Sequence, residues 1–409
     1  MDTAHILCLL LLLAIAADAG HTRTRTRRRK VGSNKLEQVF AWKQVEFENG
    51  GLAGQNAAVF DVPMGIERWN DKLFLGFPRR RTGVPATLNV VSLSEAVGKS
   101  PVVRPYPDQQ TNDLNSTSPI VSVSRPRVDS CDRLWLMDTG VVAINGVPNQ
   151  VKPPQIVIID LHTDKIIKRH ELKNIRDASG MVSTTVDIPG GDCANAFAYI
   201  PDLSNNRITV YSLKEDADWR VRHNLFHMDP EEGDFDLNGL KFQWDDGVFS
   251  IALGQEQEDG FRSVYFHAMA SYSERVVSSS VLRNRTLATR SYHGDDFKTV
   301  GTRGPNSQTN IHAVDQECGI MFSTQPGTSS LHCWRTDAPL DMSHVGTVAQ
   351  DDELLFYPSD MKVDSEGNVW VISNKFPVFL YSALDASKDN FRIFRVPIEE
   401  AIKGTVCSE

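Results

Sequence analysis

The chain carries 409 residues, 41% of them hydrophobic and 23% charged, with a formal net charge of −9. That composition is ordinary for a globular protein with enough chain for a large core, and it fits one long all-β domain as well as two or three smaller ones. The negative balance argues against nucleic acid as a partner and is silent about fold.

In chain order, Ile6 to Ala17 form an apolar run too short to span a bilayer, ending in Ala17-Asp18-Ala19. An apolar stretch with a small-x-small end is the pattern of a secretory signal peptide, expected over residues 1–19. No later stretch reaches the length of a membrane helix, so the mature protein is expected to be secreted and extracellular with no membrane span. Residues 20–40 read as a basic N-terminal arm whose densest part is His21 to Lys30. Such a block has almost nothing apolar to bury and is expected to be solvated. Its functional readings are a polyanion-binding arm and a protease processing site at Arg25-Thr-Arg-Arg28. Removing Cys8 with the signal leaves Cys131, Cys193, Cys318, Cys333 and Cys407, an odd number on a route that favours disulfides. Asn115-Ser-Thr and Asn284-Arg-Thr are glycosylation acceptors, expected on surface loops.

From residue 41 to 409 one pattern recurs: a polar turn followed by an apolar strand. It appears at Asn70-Asp-Lys-Leu-Phe-Leu-Gly76, Cys131-Asp-Arg-Leu-Trp-Leu-Met137, Cys193-Ala-Asn-Ala-Phe-Ala-Tyr199, Asp246-Gly-Val-Phe-Ser-Ile251, Cys318-Gly-Ile-Met-Phe-Ser323 and Glu366-Gly-Asn-Val-Trp-Val-Ile372. Taking Phe74, Trp135, Phe197, Phe249, Met321 and Trp370 as equivalent gives a repeat of roughly 60 residues, within the range of propeller repeats once loops are counted. Before each turn lies another strand-like run: Gly65 to Trp69, Ile120 to Val128, Thr184 to Ile188, Gly239 to Trp244, Ile311 to Val314 and Met361 to Val363. Strand, polar turn and strand make a hairpin. Further extended runs, such as Gln155 to Ile159, Arg207 to Tyr211 and Ser263 to His267, supply the remaining strands of a four-stranded unit. A lone sheet of this kind leaves its faces uncovered, whereas a ring of six covers them and protects most edges. The expected fold is therefore all-β, a six-bladed β-propeller.

In a hairpin the start of the first strand and the end of the second lie at the same end, so those positions from every unit should gather around one channel mouth. They include Asn310, Ser359 and Asp360 among the entries, and Asp138, Asp202, Asn374 and Phe376 among the exits. Carboxylates with one aromatic could hold a small amine by charge and a cation–π contact worth roughly 0.5–2 kcal/mol. The same residue types also make turns and cap strands.

The chain lacks the G-x-S-x-G, H-E-x-x-H, P-loop and G-x-G-x-x-G motifs, which sets hydrolase, zinc-protease and nucleotide readings aside. The 11 histidines are scattered along the chain; His312, beside a channel entry, is the one candidate acid or base. Asp234-x-Asp236-x-Asn238-Gly239 copies the first half of a calcium loop, but its flanks read as strand and Asp245 stands where Glu belongs. No metal and no cofactor is expected.

These ordered motifs, from Gly65-Ile-Glu-Arg-Trp-Asn-Asp-Lys-Leu-Phe-Leu-Gly-Phe-Pro-Arg-Arg80 through Cys131 to Gly140, Asp192 to Asp202 and Pro358-Ser-Asp360 to Ser373-Asn-Lys-Phe-Pro377, closely resemble the yellow and major royal jelly proteins of insects. The resemblance runs roughly from Glu46 to Cys407. It implies a six-bladed propeller, secretion, and roles in cuticle pigmentation, melanin chemistry or ligand binding. Salivary relatives imply an amine pocket at the segments of Ser359 and of Asn374 to Phe376. The resemblance also implies the disulfides Cys131 with Cys193 and Cys333 with Cys407, leaving Cys318 as the odd thiol. The expected function is capture of a small aromatic or catechol-type amine at the channel mouth. The alternatives are dopachrome isomerisation by a channel-mouth carboxylate or His312, and a non-catalytic surface that contacts extracellular matrix or cuticle.

Overall fold

The computed structural model describes residues 30–48, 61–96, 98–144, 146–173, 175, 177–178 and 180–408. The expected signal peptide and nearly all of the basic run lie outside the described residues. Six antiparallel sheets form the six blades of a β-propeller. In order from inner to outer strand, the first blade is Gly65–Trp69, Lys72–Gly76, Leu88–Ser92 and Arg104–Pro105. The second is Arg127–Val128, Arg133–Asp138, Gln155–Asp160 and Lys165–Glu171, and the third is Thr185–Asp187, Phe197–Asp202, Arg207–Ser212 and Ala217–Arg222. The fourth is Val248–Glu256, Arg262–Ala268, Ser273–Ser278 and Phe297–Thr302, and the fifth is His312–Asp315, Ile320–Gln325, Ser330–Arg335 and Val345–Asp351. The sixth joins Tyr357–Val363, Asn368–Asn374 and Phe391–Pro397 to Glu37–Trp42, a strand from the other end of the chain.

That last pairing closes the ring. Glu37 lies opposite Arg395 and Trp42 opposite Phe391, so the first and last parts of the propeller share one sheet. The strand straddles the expected arm boundary at residue 40. Lys30–Val31 pairs with Gln350 and Asp351 on the outer edge of the fifth blade, and Lys30 Nζ sits 3.2 Å from Asp351. Inner strands pack from the third blade to the fourth, fifth, sixth and first, and from the first to the second. The Cys131–Cys193 disulfide ties the second blade to the third, and Cys333–Cys407 ties the fifth blade to the C-terminal segment. Cys318 is unpaired and exposed. Among the described residues no helix is long and apolar enough to cross a membrane.

The second strands are fully or nearly buried because both faces of an interior propeller strand meet neighbouring blades. This explains their continuous apolar runs and the large apolar side chain at the equivalent place in each. One expected assignment is wrong. Val248–Glu256 is the innermost strand of the fourth blade rather than its second, so Phe249 is not equivalent to Trp135. Tyr265, in the true second strand, takes that place opposite Ala252. Leu240–Gln243, read as the first strand of that blade, pairs instead with Asp234–Leu237 as a separate hairpin. Asn238 and Gly239 both have positive φ, 55° and 96°, the Asn-Gly turn that a two-residue hairpin needs. The calcium-like acidic spacing is this hairpin, with Asp236 Oδ1 accepting from the Gly239 N–H at 2.8 Å.

Candidate functional site

A cavity of about 980 Å³ runs along the propeller axis. Each inner strand, or the residue beside it, contributes to the wall: Glu67, Arg127, Thr185, Ser250, His312 and Lys362 come from the first to the sixth blade in turn. The cavity extends to the turns between first and second strands, reaching Asn70, Asp132, Cys318 and Gly367. That is the end opposite to the mouth expected from the hairpin argument.

At the expected mouth five of the seven residues do come together. Ser359 Oγ donates to the Met64 carbonyl at 3.2 Å and accepts from Asn374 Nδ2 at 2.9 Å. Asn374 Nδ2 also donates to the Pro63 carbonyl, and its Oδ1 accepts from the Phe376 N–H. Asn310 Nδ2 donates to the Pro358 carbonyl, 2.9 Å away, while its Oδ1 accepts from the Tyr357 hydroxyl. Asp360 accepts from the Ile66 N–H and from Lys362 Nζ. Phe376 is only 7% exposed and packs near Trp244, Tyr357 and Phe379. The cation beside its ring is the chain's own Arg80, with the guanidinium carbon 5.0 Å from the centroid. Asp138 and Asp202 stand apart in the second and third blades. Asp138 accepts from the Val121, Ser122 and Gly140 N–H groups, and Asp202 accepts from Asn205 and Arg207 Nε. All seven residues are buried. Their polar atoms hold backbone in place, as short polar side chains at strand ends do.

Two features of the cavity wall bear on chemistry. The first is a charge network joining the sixth, first and second blades. Lys362 Nζ lies 2.6 Å from both Asp360 oxygens, and Arg127 Nη1 lies 3.4 Å from Glu67 Oε2. Burial raises the Glu67 carboxyl above its usual range, with Arg127 and Lys362 opposing, and burial lowers the Lys362 ammonium, with Asp360 opposing. Acid and base are thus moved toward one another.

The second feature centres on His312. Its Nδ1 lies 2.7 Å from Ser250 Oγ, and its Nε2 lies 3.2 Å from Glu274 Oε1. His267 places Nδ1 3.3 Å from Glu274 Oε2 and Nε2 3.0 Å from the Thr309 carbonyl. Arg303 Nη1 donates to Glu274 Oε2 at 2.7 Å. Burial pushes the His267 imidazole down to about 4, while the two imidazoles hold Glu274 well below the carboxylate range against its burial. Sequence reading singled out His312 and missed His267 and Glu274, because these three groups come from three strands of two blades and no short spacing connects them.

Residues 121–407 match the family model described as major royal jelly protein. The chain is 39% identical over 401 residues to the L-dopachrome tautomerase yellow-f of Drosophila melanogaster, covering 90% of this chain and 94% of that protein. It is 36% identical over 386 residues to Protein yellow of Drosophila yakuba, covering 91% of this chain and 71% of that one, and matches Protein yellow of Drosophila melanogaster to the same extent.

Proposed function

The chain belongs to the major royal jelly and yellow protein family, and from that membership and its channel we propose that it is a tautomerase of a dopachrome-type aminochrome, serving melanin pigmentation. The observation that carries this reading is the near end-to-end match to a relative named for that reaction. The channel supports it. Aminochrome tautomerisation to a dihydroxyindole moves two protons, one from each of two adjacent ring carbons, to the two quinonoid oxygens with no net oxidation, so each transfer needs a base, an acid and a way to hold the substrate. Glu67, whose proton affinity is raised by burial, is suited to take a proton from carbon. Lys362, whose ammonium is made more acidic, is suited to deliver one to oxygen. Arg127, a third exposed at its side chain and adjacent to Glu67, is placed to receive a substrate carboxylate.

The test is the decay of dopachrome absorbance with and without the purified protein. Acceleration by the wild type, lost in Glu67→Gln with the fold retained, is the expected result. Equal rates with and without wild-type protein would remove the proposal. A second reading, capture of an aromatic amine without turnover, draws on the convergence of Ser359, Asn374, Asn310 and Phe376 beside Trp244 and Tyr357. Calorimetry with dopamine and serotonin tests it, and heat abolished by Phe376→Ala is the outcome it requires. Secretion through the 1–19 signal, glycan attachment at Asn115 and Asn284, both exposed, and matrix or cuticle contact by the basic arm belong to the same proposal.

A further inference from the structure

We propose that His267, Glu274 and His312 form a divalent-cation site of the zinc type, buried between the fourth and fifth blades beside the channel. The sequence had suggested no metal, and no ligand spacing connects these three residues. Blade packing supplies what spacing does not: one ligand atom from each of the three buried residues falls within 4.8 Å of the others. Glu274 Oε1 stands 3.2 Å from His312 Nε2, and Glu274 Oε2 stands 3.3 Å from His267 Nδ1. Tetrahedral zinc with bonds of about 2.0–2.1 Å separates its donors by roughly 3.3–3.4 Å. Each of these two contacts, made through a different oxygen of Glu274, matches that separation.

Hydrogen-bond logic points the same way. The Thr309 carbonyl can only accept, so the contact at 3.0 Å places the His267 proton on Nε2. In that tautomer Nδ1 turns a lone pair toward the Glu274 carboxylate, so two acceptors face one another away from water. A cation between them turns that opposition into coordination. His312 Nε2 and Glu274 Oε1 are also fully buried and have no well-aligned hydrogen-bond partner. They face one another at 3.2 Å without an aligned hydrogen bond, an arrangement that needs an explanation. The groups behind the donors are those a metal site requires: the Thr309 carbonyl and Ser250 Oγ orient the two rings, and Arg303 holds the carboxylate.

The donor set of two imidazoles and one carboxylate suits zinc or a neighbouring transition metal better than calcium or magnesium. Arg303 already offsets the Glu274 charge, so the ion's remaining charge calls for an anionic fourth ligand, hydroxide being the simplest. A site with three protein ligands leaves that position open.

The inference stands apart from the tautomerase reading, because metal content is measured without substrate. Full-length protein, purified without chelator and dialysed against zinc and then metal-free buffer, is assayed by elemental analysis. About one equivalent per chain is expected, falling to background in Glu274→Gln and His312→Gln and unchanged in the surface variant His344→Gln. Circular dichroism verifies folding. If both site variants fail to fold, cobalt(II) is added to metal-free wild type, and the visible absorption of a tetrahedral ion is the expected signature. Zinc-free wild type with no cobalt spectrum, or an equivalent retained in folded Glu274→Gln, would overturn the proposal.

Discussion

Asp246 offers a sharp test of the electrostatics at the aromatic end of the channel. It lies in the segment leading into the innermost strand of the fourth blade, with Asp245 beside it and the Arg80 guanidinium facing it. Burial raises its carboxyl from 3.8 to about 6, with Asp245 adding to the rise and Arg80 opposing it. The folded state therefore binds this proton more tightly than the unfolded state. Between pH 4 and 6 the unfolded chain sheds the proton first, and stability falls as pH rises through that window. A shift of roughly two units at 1.36 kcal/mol each sets the loss above pH 6 at about 3 kcal/mol. Asp246→Asn keeps the shape and removes the charge. Urea denaturation should find the variant more stable than wild type by up to about 3 kcal/mol at pH 7.5, and nearly equal to it at pH 4. No gain at pH 7.5, or the same gain at both pH values, would refute the burial argument.

Three other perturbations test the frame. Trp42, 1% exposed, packs on Phe40 and donates from Nε1 to the Pro101 carbonyl at 2.8 Å, so Trp42→Ala should cost about 3–5 kcal/mol by urea denaturation and loosen the closing strand. Arg79 donates to the carbonyls of Val84, Asn112 and Val121 in a buried setting, so Arg79→Met, which strands those acceptors, should cost about 3 kcal/mol or more in the same assay. Replacing Cys333 and Cys407 together by Ser removes a crosslink spanning 74 residues, and calorimetric unfolding should show a loss of about 4 kcal/mol under the chain-entropy model.

The hairpin repeat was legible because turn chemistry is local. Asn70 and Asp132 adopt φ of 50° and 55°, and Gly319 and Gly367 adopt 69° and 73°, at the turns between first and second strands. Polar or glycine residues at those turns, followed by buried apolar runs, are visible without a structure. The fourth blade misled for the same reason. Asp245-Asp246-Gly247 before Val248 resembles the other turns, yet it precedes an innermost strand, and only the pairing of Val248 with Ala268 shows which strand it is. The candidate mouth was half legible. Hairpin geometry brought Ser359, Asp360, Asn374, Phe376 and Asn310 to one end, but composition alone could not show that their polar atoms are engaged by the backbone or that Arg80 stands over Phe376.

By itself, then, the sequence determined the number of units, the hairpin within five of them and the family likeness, because each depends on residues within a few positions of one another. The tertiary structure decided which end of the axis holds the large cavity, how Glu37–Trp42 completes the sixth blade, and that His267, Glu274 and His312 meet. Those outcomes depend on inter-blade packing and strand register, which join residues tens to hundreds of positions apart and leave no periodic trace in the chain.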